Sequence, residues 1–446
     1  MATEEQPKPA GAATTEETTV GNYFISNYPP YSCWTAEHAG DAYAALARAP
    51  RPGNPLGLYV HIPFCRKRCH FCYFRVYTDK DSLQIKAYLD SALKELALYA
   101  KQPALRGRKP NFVYFGGGTP SYLSVDQLRT LTDGIKALFP WDEAQEVAFE
   151  AEPGTLTEAK LQAIRGLGVT RLSLGVEHWD DHVLEINGRA HRSKEILRAY
   201  DWARAAGYPQ INVDLIAGMV EETEEKWFET VRRTIAIAPD SVTIYQMEVP
   251  YNTDIYKEMK AQGRLAAPVA TWPTKRAWVA HAFSEFEKAG YTVTSAYTVV
   301  RDPAKTKFVY RDRLWTGADL CSLGVASFSH VNGTHYQNLP DFETYLSALR
   351  DDKLPLWRAL TPTDEERAIR ELILQLKLGR VSVPYFREKF GLEIATRFRE
   401  AFEMLRSRGH LAAEGEEIRL TRNALLQVDS LLPAFFLPQH RQVRYT

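Results

Sequence analysis

The sequence predicts an α/β protein built on a parallel sheet, because two kinds of segment alternate regularly. Apolar, β-branched runs expected to form strands occupy residues 57–62, 111–115, 146–150, 170–176, 210–217 and 241–247. Segments with helical periodicity lie between them, at residues 83–99, 125–139, 158–167, 194–206 and 224–237. Strands that alternate with helices favour βα units with right-handed crossovers. Periodicity alone leaves an open sheet and a barrel as alternatives.

The chain before the first predicted strand has three parts. Residues 1–20 are rich in Ala, Thr, Glu and Pro, which predicts a disordered tail. Residues 23–34 are aromatic and interrupted by prolines, so we expect an extended segment laid over a surface. Residues 36–48 are rich in alanine and predict a helix that ends near Pro50.

After residue 252 the alternation stops. A long amphipathic helix is expected at 272–290, with strands at 291–300 and 320–328. Further on, helices are predicted at 369–378, 383–390 and 395–408, with a hairpin around 413–420. Three helices and a hairpin indicate a small winged-helix-like module. Without a clear stripe of Lys and Arg, a lid or docking role is favoured over DNA binding.

Composition and charge indicate a soluble globular protein of two or three domains. The chain has 446 residues, of which 45% are hydrophobic and 25% are charged. Its 55 basic and 55 acidic side chains cancel, so the net charge does not point to nucleic acid or an anionic membrane. No apolar run is long enough to span a bilayer, and the first residues do not resemble a signal peptide. We therefore expect a cytoplasmic protein with neither a membrane span nor a nucleic-acid partner.

Three of the five cysteines lie close together directly after the first predicted strand. Cys65, Cys69 and Cys72 are spaced so that one tight loop can direct three thiolates at a common centre. Four soft ligands usually complete such a site, which holds zinc or an iron–sulfur cluster. No fourth cysteine follows nearby. A three-ligand site with an open position is typical of catalysis, and a structural zinc loop or unconnected thiols are the alternatives.

Together with the preceding Tyr-Val-His-Ile-Pro-Phe at residues 59–64, this motif resembles the radical S-adenosylmethionine (SAM) enzymes of the oxygen-independent coproporphyrinogen III oxidase-like family. The resemblance implies a partial (βα)6 TIM-like barrel followed by a HemN-like winged-helix domain. It also implies that the three thiolates hold a [4Fe-4S] cluster. The fourth iron of that cluster binds SAM, which is reductively cleaved to a 5'-deoxyadenosyl radical.

The resemblance also sets the expected domain boundaries. We predict a disordered tail at 1–20, an N-terminal extension at 21–55 and the radical SAM barrel at 56–255. A barrel extension of helix and strands at 256–358 and the C-terminal domain at 359–446 complete the chain.

Several residues fall on positions that contact SAM in the resembled family. Gly117, Gly118 and Thr119 belong to a glycine-rich turn that faces the methionine end of SAM, where missing Cβ atoms permit close approach. Glu150 ends the third predicted strand, and its position binds the SAM ammonium group. Arg189 is positioned to pair with the SAM carboxylate.

The remaining expected contacts include one departure from the family. Glu177 stands where the family commonly has glutamine, and a carboxylate cannot donate the hydrogen bond that glutamine donates. Asp214 matches the aspartate of an Asp-Leu-Ile-x-Gly strand end. Tyr59, Phe71 and Met247 fall on other positions that line the SAM pocket in relatives, although core packing would explain each of them in isolation.

The residue type at position 74, here phenylalanine, helps to distinguish between two classes of reaction. The resembled coproporphyrinogen oxidases carry one more cysteine at this place, whereas class C radical SAM methyltransferases and the related cyclopropanases carry an aromatic residue. The latter resemblance implies two SAM molecules and transfer of a SAM-derived methyl or methylene carbon to an sp2 carbon of an unsaturated substrate. Methylation or cyclopropanation is therefore the leading hypothesis.

Two alternatives stay open. The N-terminal aromatic segment and the chain length resemble oxygen-independent coproporphyrinogen III oxidase, which performs an oxidative decarboxylation in haem biosynthesis. A non-enzymatic haem chaperone is less favoured, because residues 310–315 lack the Arg-His-Asn-Leu-type haem motif. For an enzyme we expect an unsaturated or tetrapyrrole substrate and a reducing partner such as flavodoxin or ferredoxin. No residue is assigned a catalytic role beyond cofactor binding.

The other cysteines and the histidines near these motifs have no assigned chemistry. Cys33 and Cys321 are expected to be small buried hydrophobes. The histidines are expected to be structural, and they are His178, His191, His330 and His335.

Overall fold

The computed structural model describes residues 17–21, 23–441 and 443. Most of the predicted disordered tail, residues 1–16, lies outside the described residues. The tail prediction is wrong for the stretch that is described. Thr18 is buried, its hydroxyl donates to the carbonyl of Ala270 at 2.8 Å, and it accepts a hydrogen bond from Nζ of Lys275 at 2.7 Å. A buried ammonium group thus holds this stretch in place.

The strands of the described chain are β1 Leu56–Ile62, β2 Phe112–Gly117, β3 Glu146–Ala151, β4 Arg171–Glu177, β5 Gln210–Ala217, β6 Ser241–Gln246, β7 Thr292–Val293, β8 Thr298–Val300, β9 Asp319–Leu323, β10 Phe328–Val331, β11 Thr334–Asn338, β12 Leu356–Leu360, β13 Arg380–Ser382, β14 Leu411–Ala413 and β15 Glu417–Leu420. The helices are α1 Ala39–Leu46, α2 Ser82–Ala100, α3 Val125–Leu138, α4 Glu158–Gly166, α5 Asp181–Ile186, α6 Ser193–Ala205, α7 Glu224–Ile237, α8 Asp254–Ala261, α9 Trp272–Lys288, α10 Val309–Leu314, α11 Phe342–Arg350, α12 Asp364–Leu376, α13 Val383–Phe390, α14 Ile394–Arg397, α15 Arg399–Ser407, α16 Arg422–Leu425 and α17 Val428–Leu431.

The main sheet has a parallel centre and antiparallel edges. Its order is β12-β11-β10-β9-β1-β2-β3-β4-β5-β6-β8-β7, and the strands from β9 through β6 run parallel. β10 to β12 extend one edge and β8 with β7 extend the other, all antiparallel. Because β1 to β6 keep their sequence order, each βα unit winds in the same direction. The predicted α/β alternation is confirmed, and its element boundaries agree within two residues.

Three predicted elements are interrupted. The strand expected at 291–300 is two short strands, because the chain turns between β7 and β8 and the amide of Thr294 donates to the carbonyl of Thr298 at 2.9 Å. The strand expected at 320–328 ends at Leu323, since Gly324 (φ +105°) and Ala326 (φ +59°) leave the extended conformation. The helix expected at 395–408 breaks at Phe398 into α14 and α15.

The inner face of the sheet is concave. The hydroxyl of Tyr114 on β2 donates to Glu150 on β3 at 2.6 Å, and Glu150 interacts electrostatically with Asp214 two strands away on β5. β12 forms one edge of the sheet and β7 forms the other, so the sheet does not close on itself. A curved, open sheet with helices in each crossover is a partial barrel, the fold class that the sequence predicts. In such folds the active site lies at the carboxyl ends of the strands.

The C-terminal module packs on the N-terminal segment. β13, β15 and β14 form a separate three-stranded sheet beside α12 to α15, as expected for a winged helix. Tyr28 is fully buried, with its ring against Phe436 and His440. The amide of Ile25 donates to Asp429 at 2.8 Å. The aromatic N-terminal segment is therefore part of the module's core.

None of the helices in the described part of the chain combines the length and hydrophobicity needed to cross a bilayer.

Candidate active site

The cysteine loop follows β1 and is fixed by backbone hydrogen bonds. The amide of Cys65 donates to the carbonyl of Tyr77 at 3.0 Å, and that of Cys72 donates to the carbonyl of Cys69 at 3.1 Å. The amide of His70 donates to Asn187 at 3.1 Å. These contacts hold the three thiol groups at the carboxyl end of β1.

Polar side chains lie beside the thiols of Cys65 and Cys69, and burial affects the pKa of Cys65 and Cys72. The hydroxyl of Thr119 lies 3.3 Å from the sulfur of Cys65, and a guanidinium nitrogen of Arg189 lies 3.2 Å from the sulfur of Cys69. Burial raises the pKa of Cys65 to about 11 and that of Cys72 to about 12. The raised pKa values mean that the neutral thiol is preferred. A bound metal centre reverses this preference, because its positive charge favours the thiolate.

Cysteine thiolates are the ligands that hold an iron–sulfur cluster, and the three thiols of this loop are the residues that would hold one. The donors around the sulfurs also suit sulfur ligands that carry negative charge.

The glycine-rich turn after β2 lies directly beside the cysteine loop. β1 and β2 pair in register, with Ile62 opposite Gly117, and the amide of Gly118 donates to the carbonyl of Ile62 at 2.8 Å. A Cβ atom at Gly118 would lie 2.8 Å from that carbonyl oxygen and 3.0 Å from the carbonyl oxygen of Phe64. Gly117 has φ +111°. Close approach of two backbones therefore requires glycine here.

Glu150 is a partly buried carboxylate at the centre of the concave face. Its two oxygens accept hydrogen bonds from the Tyr114 hydroxyl at 2.6 Å and from the amide of Gly117 at 3.1 Å. Burial raises its pKa to about 7, and the charge of Asp214 adds to the shift. An ammonium ligand would restore its charge, because an opposite charge favours the ionised carboxylate.

Glu177 and Arg189 form an ion pair next to the cysteine loop, with 3.6 Å between an oxygen and a nitrogen. Glu177 ends β4 in a left-handed conformation (φ 64°), and burial raises its pKa to about 7. Arg189 also donates to the carbonyl of Gly175 at 2.5 Å. Among the described residues, its buried Nε has no hydrogen-bond partner. Such an unused donor suits a carboxylate ligand.

The structure brings Tyr59 and Asp214 to the same face. Asp214 accepts hydrogen bonds from Ser173 and Asn212, each at 2.8 Å, while burial raises its pKa. The hydroxyl of Tyr59 lies 3.2 Å from Nδ1 of His61. The inner face thus carries both carboxylates and aromatic hydroxyls.

Phe71 and Met247 lie in an apolar cluster at the side of the site. Met247 is 2% exposed and packs with Met219 and Val183, while Phe71 is half-buried against this cluster. Their packing role is evident in the structure.

The sequence did not single out several residues of the concave face. His61 is buried and its Nε2 has no hydrogen-bond partner among the described residues, while burial lowers its pKa to about 4. Tyr114 and Tyr245 were also missed. Tyr114 lies two residues before Gly116 of the glycine-rich motif and Tyr245 two residues before Met247, so period-two alternation from these positions could have found them. Tyr310 comes from α10, and its ring lies 4.4 Å from that of Tyr114.

Three aromatic rings near the site remain exposed. Tyr73 is 41% exposed, Phe74 is 46% exposed and Tyr245 is 40% exposed. Tyr73 and Phe74 stack on each other with 4.5 Å between their centroids. Exposed rings beside a concave polar site are suited to contact with a flat ligand.

Comparison with known families agrees with this geometry. Residues 59–234 match the model of the radical SAM superfamily. This part of the chain is therefore similar to the radical SAM enzymes. Residues 363–426 match the HemN C-terminal domain. The cofactors are accordingly a [4Fe-4S] cluster and SAM, as the sequence predicts.

Individual relatives span nearly the whole chain. The chain is 27% identical over 388 residues to a haem chaperone HemW of Bacillus subtilis, covering 84% of this chain and 98% of the relative. It is 25% identical over 434 residues to an oxygen-independent coproporphyrinogen III oxidase of Synechocystis, and the alignment covers 92% of this chain and 91% of the relative. Coproporphyrinogen III oxidase (HemN) from Escherichia coli has the same fold, with a TM-score of 0.79 and 23% sequence identity. The structural match covers 94% of this chain and 99% of that protein. The methyl-transfer hypothesis is not supported by these relatives, and the oxidase alternative is supported better.

Proposed function

We propose that this radical SAM enzyme is an oxygen-independent oxidase of a reduced tetrapyrrole of the coproporphyrinogen III type. The observation that carries the proposal is the length of the match. The oxidase alignment spans 92% of this chain and 91% of the relative, whereas the chaperone alignment spans 98% of the relative but only 84% of this chain.

The aromatic side chains near the site support a tetrapyrrole substrate. Tyr73, Phe74 and Tyr245 present exposed rings, and the rings of Tyr59 and Tyr310 lie 6.4 Å apart. Rings of this kind can stack on a flat macrocycle. Phe74 has no thiol, so the proposed reaction proceeds without the cysteine that the resembled oxidases carry at this place.

The reaction would convert a propionate side chain to a vinyl group. A hydrogen atom leaves the carbon attached to the ring, the terminal carboxylate leaves as CO2 from the neighbouring carbon, and one electron passes to an external acceptor such as a flavin or iron–sulfur protein. The cluster and SAM together supply the group that takes the hydrogen atom. The chain's own residues bind and orient both ligands.

We assign these residues as follows. The sulfurs of Cys65, Cys69 and Cys72 hold the cluster. Glu150 binds the SAM ammonium group and Arg189 its carboxylate. The other proposed SAM contacts are Tyr59, Phe71, Gly117, Gly118, Thr119, Glu177, Asp214 and Met247.

A reducing protein would dock beside the cysteine loop. Arg66 and Lys67 lie in this loop and are exposed. Flavodoxins and ferredoxins are small acidic proteins, and complementary charge speeds such encounters.

The test is anaerobic reconstitution followed by incubation with coproporphyrinogen III, SAM and dithionite, with mass spectrometry of both products. The proposal expects stepwise loss of two CO2 molecules and formation of 5'-deoxyadenosine. Stable haem binding without SAM cleavage would instead favour a chaperone. One carbon added to an unsaturated acceptor would restore the methyl-transfer hypothesis.

A further inference from the structure

The concave face of the sheet is polar on three neighbouring strands, β4, β5 and β6. The register of these strands places Ser173, Asn212 and Ser241 side by side. Alternate residues on the opposite face are apolar and fully buried, as Ile211 and Val213 on β5 show. The inner layers of barrels are usually filled by branched apolar side chains, and a buried polar group is costly unless it is hydrogen-bonded. The polar side chains here therefore indicate a role other than core packing.

Asn212 is 1% exposed, and its amide takes part in two hydrogen bonds on each side. Its oxygen accepts hydrogen bonds from the hydroxyls of Ser241 at 2.8 Å and Thr243 at 3.1 Å. Its nitrogen donates to the hydroxyl oxygen of Ser173 at 2.9 Å and to Oδ1 of Asp214 at 2.8 Å. The reversed amide would point its oxygen at the carboxylate, so these partners fix its orientation.

The Asp214 carboxylate is held at both oxygens. Oδ1 accepts the hydrogen bond from Asn212, and Oδ2 accepts one from the hydroxyl of Ser173 at 2.8 Å. Because Ser173 also accepts from Asn212, the two side chains and the carboxylate form a closed ring of hydrogen bonds, which sets the rotation of the carboxylate. Asp214 is partly exposed, and a carboxylate has about four acceptor sites, so it can still accept a hydrogen bond from a ligand.

A buried arginine begins a chain of hydrogen bonds that ends at Asp214. Arg171, the first residue of β4, is 2% exposed and donates to the hydroxyl oxygen of Ser241 at 3.3 Å. Ser241 donates to Asn212, which in turn donates to Asp214. Each bond donates toward the carboxylate, so each polarises the next. The charge of Arg171 also acts on Glu146 of β3.

Other charges near Asp214 oppose its ionisation. Burial raises the pKa of Asp214, and the charge of Arg171 is among the influences that lower it. The titratable groups that act on Asp214 or respond to it from the neighbouring strands are Glu150, Glu177, Tyr114 and Tyr245. The two carboxylates among them repel the charge of Asp214, because like charges disfavour ionisation. The cation at the start of the chain counteracts this repulsion.

We propose that Asn212 is a positioning residue of the SAM site and that Arg171, acting through Ser241 and Asn212, balances the charge of Asp214. The inference rests on the assignment of Asp214 as a SAM contact in the proposed function. Asn212 sets the direction of the carboxylate, and Arg171 favours its ionised form from the amino end of β4. Neither residue touches the ligand.

The test is equilibrium dialysis of labelled SAM with the cluster-loaded protein from weakly acidic to alkaline pH, with Tm measured alongside. Asn212→Ala should weaken SAM binding about tenfold even at alkaline pH, because the ionised carboxylate is no longer oriented. Arg171→Gln should bind SAM as the wild type does at alkaline pH. Its affinity should fall at a higher pH on acidification, since loss of a positive charge raises the pKa of Asp214. Glu150 and Glu177 titrate in every variant, so the difference between profiles reports Asp214.

Val213→Ala is the matched control, because this fully buried residue lies on the opposite face of β5. It should lower Tm and leave the pH profile of SAM binding unchanged. Ser241→Ala interrupts the chain and should shift the profile as Arg171→Gln does, which keeps the proposal testable where Asn212→Ala does not fold. Wild-type affinity in folded Asn212→Ala would overturn the proposal, as would a wild-type profile in Arg171→Gln or Ser241→Ala.

Asp214→Asn separates this inference from the assignment on which it rests. Wild-type SAM affinity in Asp214→Asn would overturn both. Weak binding by Asp214→Asn together with wild-type binding by Asn212→Ala would overturn the inference alone. SAM binding is measured without a tetrapyrrole, so failure of the proposed oxidase activity is a separate result.

Discussion

Arg189 joins the cysteine loop to the end of β4: it lies 3.2 Å from the sulfur of Cys69 and 3.6 Å from the carboxylate of Glu177. The same guanidinium therefore faces the proposed cluster ligands on one side and a carboxylate on the other. A negatively charged ligand that reached Arg189 would compete with Glu177 for it. Because of this competition, a substitution of Arg189 is the most direct test of the proposed SAM site.

We expect Arg189→Lys to weaken SAM binding about tenfold or more while the cluster still assembles. Lysine keeps the positive charge but loses the planar fork, and a hydrogen bond to a charged group contributes about 1.5–3 kcal/mol. Equilibrium dialysis with labelled SAM measures the affinity, and the iron content and visible spectrum report the cluster. Unchanged affinity would contradict the assigned role.

Replacing any one of Cys65, Cys69 and Cys72 by alanine should abolish assembly of the [4Fe-4S] cluster, because two thiolates cannot hold the cluster in place of three. Cys33→Ala is the matched control, since this half-exposed cysteine lies in the N-terminal segment outside the loop. Iron and sulfide analysis with electron paramagnetic resonance measures the outcome. A loop variant that retained a full cluster and cleaved SAM would refute the ligand assignment.

SAM binding should tighten as the pH rises through about 7. Burial raises the pKa of Glu150 to about 7, so below that pH the SAM-free protein carries a neutral acid that attracts an ammonium group weakly. Tyr114→Phe removes a hydrogen bond that lowers this pKa, so the midpoint should move to higher pH.

Glu177 has a pKa of about 7 as well and would contribute to the same profile. The Glu150→Gln variant separates the contributions of the two carboxylates to the pH profile, because it removes only that of Glu150. A SAM affinity that stays flat with pH in the wild type would show that Glu150 does not bind the ammonium group.

Gly118→Ala should disrupt the site without a large loss of global stability. The new methyl group would lie 2.8 Å from the carbonyl oxygen of Ile62, so either β1 or the glycine turn must move. We expect loss of SAM binding and poorer cluster assembly. Gly166→Ala at the end of α4 is the control, because a Cβ atom there meets nothing within 4 Å.

Tyr28→Ala should lower the free energy of unfolding by about 3–5 kcal/mol, the usual cost of deleting a large buried ring. Its hydroxyl also accepts a hydrogen bond from the amide of Leu437 at 3.0 Å and lies 2.8 Å from Nδ1 of His440. Tyr28→Phe keeps the ring and should cost about 1–3 kcal/mol. Denaturant unfolding measures both, and equal losses would show that the ring itself contributes little.

The sequence predicted the parallel centre of the sheet but not the antiparallel edge formed by β10, β11 and β12. β1 to β6 are apolar runs separated by clear helices, so their pattern can be recognised locally. β10 and β11 carry buried polar residues such as Ser329, His330 and Gln337, which hide the strand pattern. Their burial depends on partners far along the chain, and periodicity does not reveal such partners.

The candidate site was likewise predictable where a motif carried it. Glu150 lies at a strand end and Arg189 in the loop between α5 and α6, and both were identified through motifs that resemble those of the family. Tyr310 was missed, because it belongs to α10 and meets Tyr114 only once the barrel has formed. Side chains that reach a site from a distant element leave no local signal in the sequence.

The packing of the N-terminal segment on the C-terminal module has a consequence for biosynthesis. Ile25 finds its partner Asp429 across 404 positions of sequence. At typical translation speeds of about 5–20 residues per second, the segment waits on the order of 20–80 s on the ribosome before that partner is made. The ring of Tyr28 also lacks its partners Phe436 and His440 during this time, so the barrel is made before this part of the segment is covered.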